Sequence, residues 1–118
     1  MLIKTFGFVG NADLPSFVRV EIRVERGFMF RLSGVISSAA KALQARVRST
    51  LLTCGYRLPG KAITVNIAPA TTARSTTELY LPIALSILAA LGKICNNSIK
   101  GISFSGELSL DGSIRYTT

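Results

Sequence analysis

The sequence predicts an α+β domain in which two helices cover one face of a single sheet. Three observations lead to this prediction: a strict alternation of apolar and polar residues at 17–25, a helical spacing of apolar residues after Ser37, and further short strand patterns on both sides of the helices. The predicted order is β-β-β-α-β-α-β-β, a sandwich of one sheet layer and one helix layer. With 118 residues, 48% of them hydrophobic, the chain can bury a core without disulfides or metal. We therefore expect one domain over residues 1–118.

The first three strands are predicted at 2–9, 17–25 and 28–32. Residues 11–15 form the predicted turn after the first strand, and Gly27 turns the chain into the third. In the second strand, one face carries apolar side chains and the other carries charged ones, as a half-buried strand requires: Val18, Val20, Ile22 and Val24 against Arg19, Glu21, Arg23 and Glu25. We expect these three strands to pair as a meander.

The first helix is predicted from apolar residues that recur at three- and four-residue steps: Ala40, Leu43, Val47, Leu51 and Cys54. Either Ser37 or Ser38 is the predicted N-cap, and Gly55 is the predicted residue after the C-cap. The next strand is expected at 62–68, with Pro69 ending it.

The second helix is predicted at about 79–91. Residues 75–78 (Ser-Thr-Thr-Glu) have the spacing of a capping box, but Pro82 suits the first turn and would kink a helix that began at Ser75. We favour a start near Leu81. A strand at 101–106 and a hairpin turn at 110–114, built on Asp111-Gly112, complete the predicted order.

The charge is strongly positive. Fourteen Lys and Arg against six Asp and Glu give a net charge of +8, and residues 26–77 contain no acidic residue. Such an excess attracts polyanions, most often nucleic acid, or it balances an acidic neighbouring domain. The candidate nucleic-acid contacts are Lys41, Arg46 and Arg48 of the first helix, extended by Arg57, Lys61 and Arg74. Only Tyr56 could stack a base there, so we expect contacts to phosphates, without sequence reading.

Residue content argues against catalysis. The chain has no His, which excludes His-based triads and His-ligated zinc. Residues 55–62 match the phosphate-binding loop pattern except at Ala62, and they follow a predicted helix and open a strand, so we interpret them as a turn. The polar run 71–77 is interpreted as a solvated loop that caps the second helix. We expect no catalytic residue, metal or cofactor in this domain.

Cys54 and Cys95 are predicted to be buried, reduced thiols of a cytoplasmic protein, since they lack any CxxC spacing. The N-terminus does not have the pattern of a signal peptide, and the apolar run at 79–91 is too short to span a bilayer. We therefore expect a soluble protein without membrane contact.

Three blocks of the sequence resemble the N-terminal domain of Mg-chelatase-like proteins of the ComM type. They are residues 55–70 (GYRLPGKAITVNIAPA), 81–85 (LPIAL) and 106–113 (GELSLDGS), in the order and spacing of the family. Residues 1–7 and the Ala39, Lys41, Arg46-Val47-Arg48 pattern of the first helix also fit. The resemblance thus covers essentially the whole chain.

The resemblance implies a Lon-protease-like fold, also called ribosomal protein S-five domain-2-like, placed ahead of an AAA+ ATPase module. Family members of the ComM type are hexameric DNA helicases linked to DNA uptake and recombination. ATP and Mg are therefore expected only for the ATPase module, which is absent from this chain. The implied role is a non-catalytic accessory domain whose partners are that module and, through a basic face, DNA. A stand-alone structural or protein-interaction domain that has lost its ATPase is the alternative.

Two departures from the family pattern affect this interpretation. Gly34-Val35-Ile36-Ser37 stands where the family has Gly-Leu-Pro-Asp before the first helix. The loop 71–80 differs from the charged family loop at the place where Lon-like proteases carry their serine, and it lacks the glycine context and lysine of those enzymes. We expect no proteolysis.

Overall fold

The computed structural model describes residues 2–9, 16–56, 60–69, 77–99, 102–104, 106–108 and 114–115. Their elements are β1 (Leu2–Val9), β2 (Ser16–Arg26), β3 (Phe30–Ser33), α1 (Ser37–Thr53), β4 (Lys61–Ala68), α2 (Tyr80–Ala90), β5 (Glu107–Leu108) and β6 (Ile114–Arg115). Short 3-10 turns lie at Thr77–Leu79 and Asn96–Ser98. The predicted α+β class is confirmed, and so is the predicted order of strands and helices as far as α2.

The first four strands form one mixed sheet in the order β1-β2-β4-β3. β2 pairs antiparallel with β1 and with β4, whereas β3 runs parallel to β4. The predicted meander is therefore wrong, because β4 occupies the place beside β2 that a meander would give to β3. β4 pairs with β2 over eight residues, from Arg19↔Ala68 to Arg26↔Lys61, but β3 is only four residues long. The longer strand offers β2 more backbone hydrogen bonds and more buried side chains.

The two faces of the sheet differ sharply. On β1, β2 and β4, alternate residues are buried under the helix layer: Ile3, Thr5, Val18, Val20, Ile22, Ile63, Val65 and Ile67. α2 packs against β1 and β2, and α1 packs against β3 and α2. We call the opposite side the open face. Within the described part of the chain, no helix packs against it, and it carries most of the exposed strand side chains.

Both helices end as glycine-terminated motifs, but neither predicted serine caps α1. Gly55 has φ +91°, its N–H donates to Leu52, and the Tyr56 N–H donates to Leu51 at 2.9 Å, which is a Schellman motif. Gly55 is therefore confirmed as the residue after the C-cap. The N-cap is Ile36, without a side-chain capping bond, so the prediction of Ser37 or Ser38 is wrong. The chain enters the helix one residue earlier, which places both serines in its first turn.

The second helix begins within one residue of the predicted start. Its first residue is Tyr80, preceded by a 3-10 turn, and Pro82 lies in the first turn. Proline fits there because its missing N–H has no partner inside the helix. The alternative start at Ser75 lies outside the described residues.

The C-terminal prediction is only partly met. Of the predicted strand at 101–106, the described residues show a single parallel bridge, Phe6↔Ser103, with the Phe104 N–H donating to the Phe6 carbonyl at 2.8 Å. Regular pairing occurs later, where β5 and β6 pair antiparallel on either side of the predicted hairpin turn. The turn residues 110–113 lie outside the described residues.

Cys54 and Cys95 are unpaired, as predicted, but both are exposed, so their predicted burial is wrong. The buried stripe of α1 runs through Ala39 and ends at Leu51, and Cys54 follows in the turn that leaves the helix. Cys95 lies beyond Gly92, where the chain has already turned away from α2. No helix in the described part of the chain is long and apolar enough to cross a membrane.

Candidate nucleic-acid interface

The basic residues of α1 lie on two different flanks of the helix. Lys41 and Arg48 are seven residues apart, about two turns, and therefore share a side. Arg46 lies roughly 160° around the helix axis from Arg48. The structure thus brings Lys41 and Arg48 together and separates Arg46 from them.

Aromatic rings hold the two arginines in place. The Arg46 guanidinium lies over the Tyr80 ring of α2, 5.5 Å from its centroid. The Arg48 guanidinium lies over the Phe30 ring of β3, also at 5.5 Å. Each contact contributes about 0.5–1 kcal/mol at a solvent-accessible site. Because Arg46 is half-buried against α2 while Arg48 is exposed, Arg48 is the better placed of the two to meet a large anion.

Lys61 lies at the same end of the sheet as Arg48. It begins β4, and its Cα partner across the sheet is Arg26, the last residue of β2. β3 starts at this end too, since Phe30 pairs with Ile63, and Phe30 carries the stacked Arg48. We call Arg26, Arg48 and Lys61 the basic end.

Sequence reasoning included Arg48 and Lys61 among the candidate contacts but not Arg26. The sequence shows Arg26 only as the first basic residue of a stretch without acidic residues. Its proximity to Lys61 depends on the β2–β4 register, which the sequence alone does not give. The ion pairs Arg19–Glu21 (3.7 Å) and Arg23–Glu25 (3.8 Å) occupy the open face instead. The carboxylates of those pairs therefore do not neutralise the basic end.

Arg57 and Arg74, the remaining candidate contacts, lie outside the described residues, as do residues 71–76 of the polar run.

The elements on either side of the turn predicted at 55–62 are the predicted ones, because α1 ends at Thr53 and β4 begins at Lys61. Lys61 therefore opens a strand, not the helix that a phosphate-binding loop requires. Among the described residues there is no group of three or more Cys, Asp or Glu that could hold a metal ion. The chemistry available at the basic end is charge-assisted binding of phosphate oxygens.

Comparison with known proteins identifies the family. Residues 20–118 match the family described as subunit ChlI of Mg-chelatase. The competence protein ComM of Haemophilus influenzae is 37% identical over 99 residues, which are 83% of this chain and 19% of that protein. The uncharacterized protein YifB is 33% identical in Escherichia coli and 31% identical in Salmonella typhimurium, again over 83% of this chain and 20% of the relative.

The chain spans about a fifth of the length of these curated relatives. The matched segment contains β3, α1, β4 and α2 complete, together with most of β2. It therefore includes both helices and all three residues of the basic end. The chain belongs to the ChlI family of Mg-chelatase subunits and resembles the ComM-type members of that family.

Proposed function

We propose that this chain is a non-catalytic accessory domain of a ComM-type AAA+ ATPase that contacts DNA phosphates through its basic end. The observation that carries the proposal is the convergence of Arg26, Arg48 and Lys61 at one end of the sheet. Lys41, on the same side of α1 as Arg48, extends this surface. Phosphate contacts of this kind attract nucleic acid without regard to its sequence.

The family relationship supports the rest of the proposal. A domain that spans a fifth of its relatives leaves room in the whole protein for an ATPase module, which would bind ATP and Mg and assemble as a hexamer in the cytoplasm. The α+β sheet with its helices on one face suits the Lon-protease-like fold that the resemblance implies. The sequence contains no His, and the flanks of the turn at 55–62 lack the helix that would receive a nucleotide phosphate.

The experiment is a salt series of binding to fluorescent duplex and branched DNA. Arg48→Ala removes one charge at the basic end, and Lys93→Ala removes one exposed charge after α2, so the pair is matched in net charge. Affinity should fall steeply with salt, and Arg48→Ala should reduce the slope of log affinity against log salt by about 1, whereas Lys93→Ala should leave it nearly unchanged. Arg46→Ala should behave like the control, because Arg46 faces α2.

Equal effects of Arg48→Ala and Lys93→Ala would mean that net charge alone attracts DNA, which contradicts a defined basic end. Absence of binding at low salt would contradict DNA contact altogether. The better account would then be a structural or protein-interaction domain. Exposed Phe28 (89%) and Met29 (55%), directly before the edge strand β3, are the observation that favours this second candidate.

A further inference from the structure

Two phenylalanine side chains lie exposed on the open face of the sheet. Phe6 on β1 is 41% exposed and Phe17 on β2 is 64% exposed. Their sequence neighbours Thr5, Gly7 and Val18 are buried toward the helices, so strand alternation fixes both rings on the other side. The Cα partner of Phe6 is Arg19, two residues after Phe17, which makes the two phenylalanines diagonal neighbours about 7–8 Å apart.

The rings border a shallow cavity of about 480 Å³ lined by Phe6, Phe17, Val18, Arg19, Ala68 and Pro69. This volume lies within the range of roughly 300–1,000 Å³ that small organic ligands occupy. The lining combines the two exposed rings with three apolar residues and one basic residue, Arg19. Such a cavity suits a planar group that carries a negative charge nearby.

The charges of the open face continue away from this cavity. Its described residues include four basic side chains, Lys4, Arg19, Arg23 and Arg31, and two acidic ones, Glu21 and Glu25. Each of the two carboxylates lies within 4 Å of an arginine. The Arg23–Glu25 pair is exposed and adds little stability, whereas Glu21 is 22% exposed and also accepts a hydrogen bond from Asn66 Nδ2 at 3.1 Å. Four basic against two acidic side chains still leave the face net positive. From Phe6 to Arg31, three strand spacings and four residues along the strands give a diagonal of about 20 Å. The face thus offers a basic track that starts at the two rings.

We propose that the open face binds single-stranded nucleic acid, with Phe6 and Phe17 stacking on bases and Arg19 meeting the adjacent phosphate. A sheet that presents aromatic rings beside basic side chains can hold unpaired bases by their planar faces. Bases inside a duplex are already stacked on one another, so this surface discriminates single strands from duplexes. The site lies on the opposite side of the sheet from the helix layer and goes beyond the phosphate contact proposed for the basic end.

The test compares binding of a short oligothymidylate with binding of a duplex of the same length at one salt concentration. The double variant Phe6→Leu/Phe17→Leu keeps apolar side chains but removes both rings. Its affinity for the oligothymidylate should fall at least about fivefold for each ring removed, while duplex affinity stays unchanged. Phe17→Tyr, which restores a ring, should bind the oligothymidylate as the wild type does. Phe28→Leu, at another exposed phenylalanine, is the matched control and should change neither affinity.

Far-UV circular dichroism and the unfolding midpoint should match the wild type in every variant, since both rings are already exposed. Full oligothymidylate affinity in Phe6→Leu/Phe17→Leu overturns the proposal, because the rings then contribute nothing to binding. An equal loss in Phe28→Leu overturns it as well, because the effect is then not specific to the open face. Adding Arg48→Ala to both the wild type and the double Leu variant separates the two hypotheses. Arg48→Ala should weaken duplex binding, whereas the fold loss of oligothymidylate affinity caused by the two Leu substitutions should be the same with and without it.

Discussion

A buried pair of hydroxyls joins the sheet to α2 and allows a quantitative test. Thr5 and Ser86 are both 0% exposed, and their hydroxyl oxygens lie 2.7 Å apart. Ser86 Oγ also donates to the Pro82 carbonyl at 2.7 Å. Because a hydroxyl carries one hydrogen, Ser86 cannot donate to both partners, so Thr5 is the donor to Ser86.

This direction predicts unequal costs for the two single substitutions. Ser86→Ala leaves the Thr5 hydroxyl buried without its acceptor, which should lower the free energy of unfolding by about 1–3 kcal/mol. Thr5→Val removes the donor but leaves Ser86 bonded to Pro82, so its cost should be about 1 kcal/mol or less. The double variant lacks both hydroxyls, so no buried hydroxyl is left without a hydrogen-bond partner. Its cost should therefore be smaller than the sum of the single costs by about 1 kcal/mol.

The assay is urea unfolding followed by far-UV circular dichroism, in which the midpoint shifts and the slope stays constant if only stability has changed. Thr5→Val costing more than Ser86→Ala would refute the assigned direction of the bond. Single costs that add to within roughly 0.5 kcal/mol would refute the coupling itself.

Three further substitutions test the turns and the core by the same unfolding measurement. Gly34→Ala should cost roughly 2–5 kcal/mol, because Gly34 has φ +92° and a Cβ there would collide with the backbone oxygen of Ile67. Gly55→Ala meets only the backbone strain, since nothing lies within 4 Å of its Cβ position, and should cost about 1–2 kcal/mol; a cost equal to that of Gly34→Ala would contradict the collision. Leu43→Ala removes a fully buried side chain of α1 and should cost about 2–5 kcal/mol, whereas an unchanged midpoint would contradict its place in the core.

Local patterns in the sequence predicted the elements of the fold well. The alternation from Val18 to Val24 requires a half-buried strand, and Gly55 supplies the positive φ that ends α1. The pairing of β3 with β4 could not be predicted in this way. Whether β3 or β4 lies beside β2 depends on how many residue pairs each strand can form with β2. That comparison involves residues far apart in the sequence, so the local pattern of β3 does not predict it.

The candidate site was predicted in composition but not in arrangement. Arg46 and Arg48 are close in sequence, yet they face different elements because α1 lies between α2 and β3. Arg26 joins Lys61 only through the β2–β4 register. Phe6 and Phe17 lie in predicted strands, but their exposure on a face without a helix depends on where both helices pack.

The position of β4 between β2 and β3 has a consequence for the order in which the domain folds. β2 and its central partner β4 are separated in the chain by β3 and the whole of α1, so their pairing closes a long loop. A nascent chain that has emerged only as far as α1 can form the β1–β2 hairpin, but the other edge of β2 stays unpaired and β3 has no strand to join. Synthesis through Ala68 completes the sheet in one step. We therefore expect insertion of β4 to limit the folding rate of this domain.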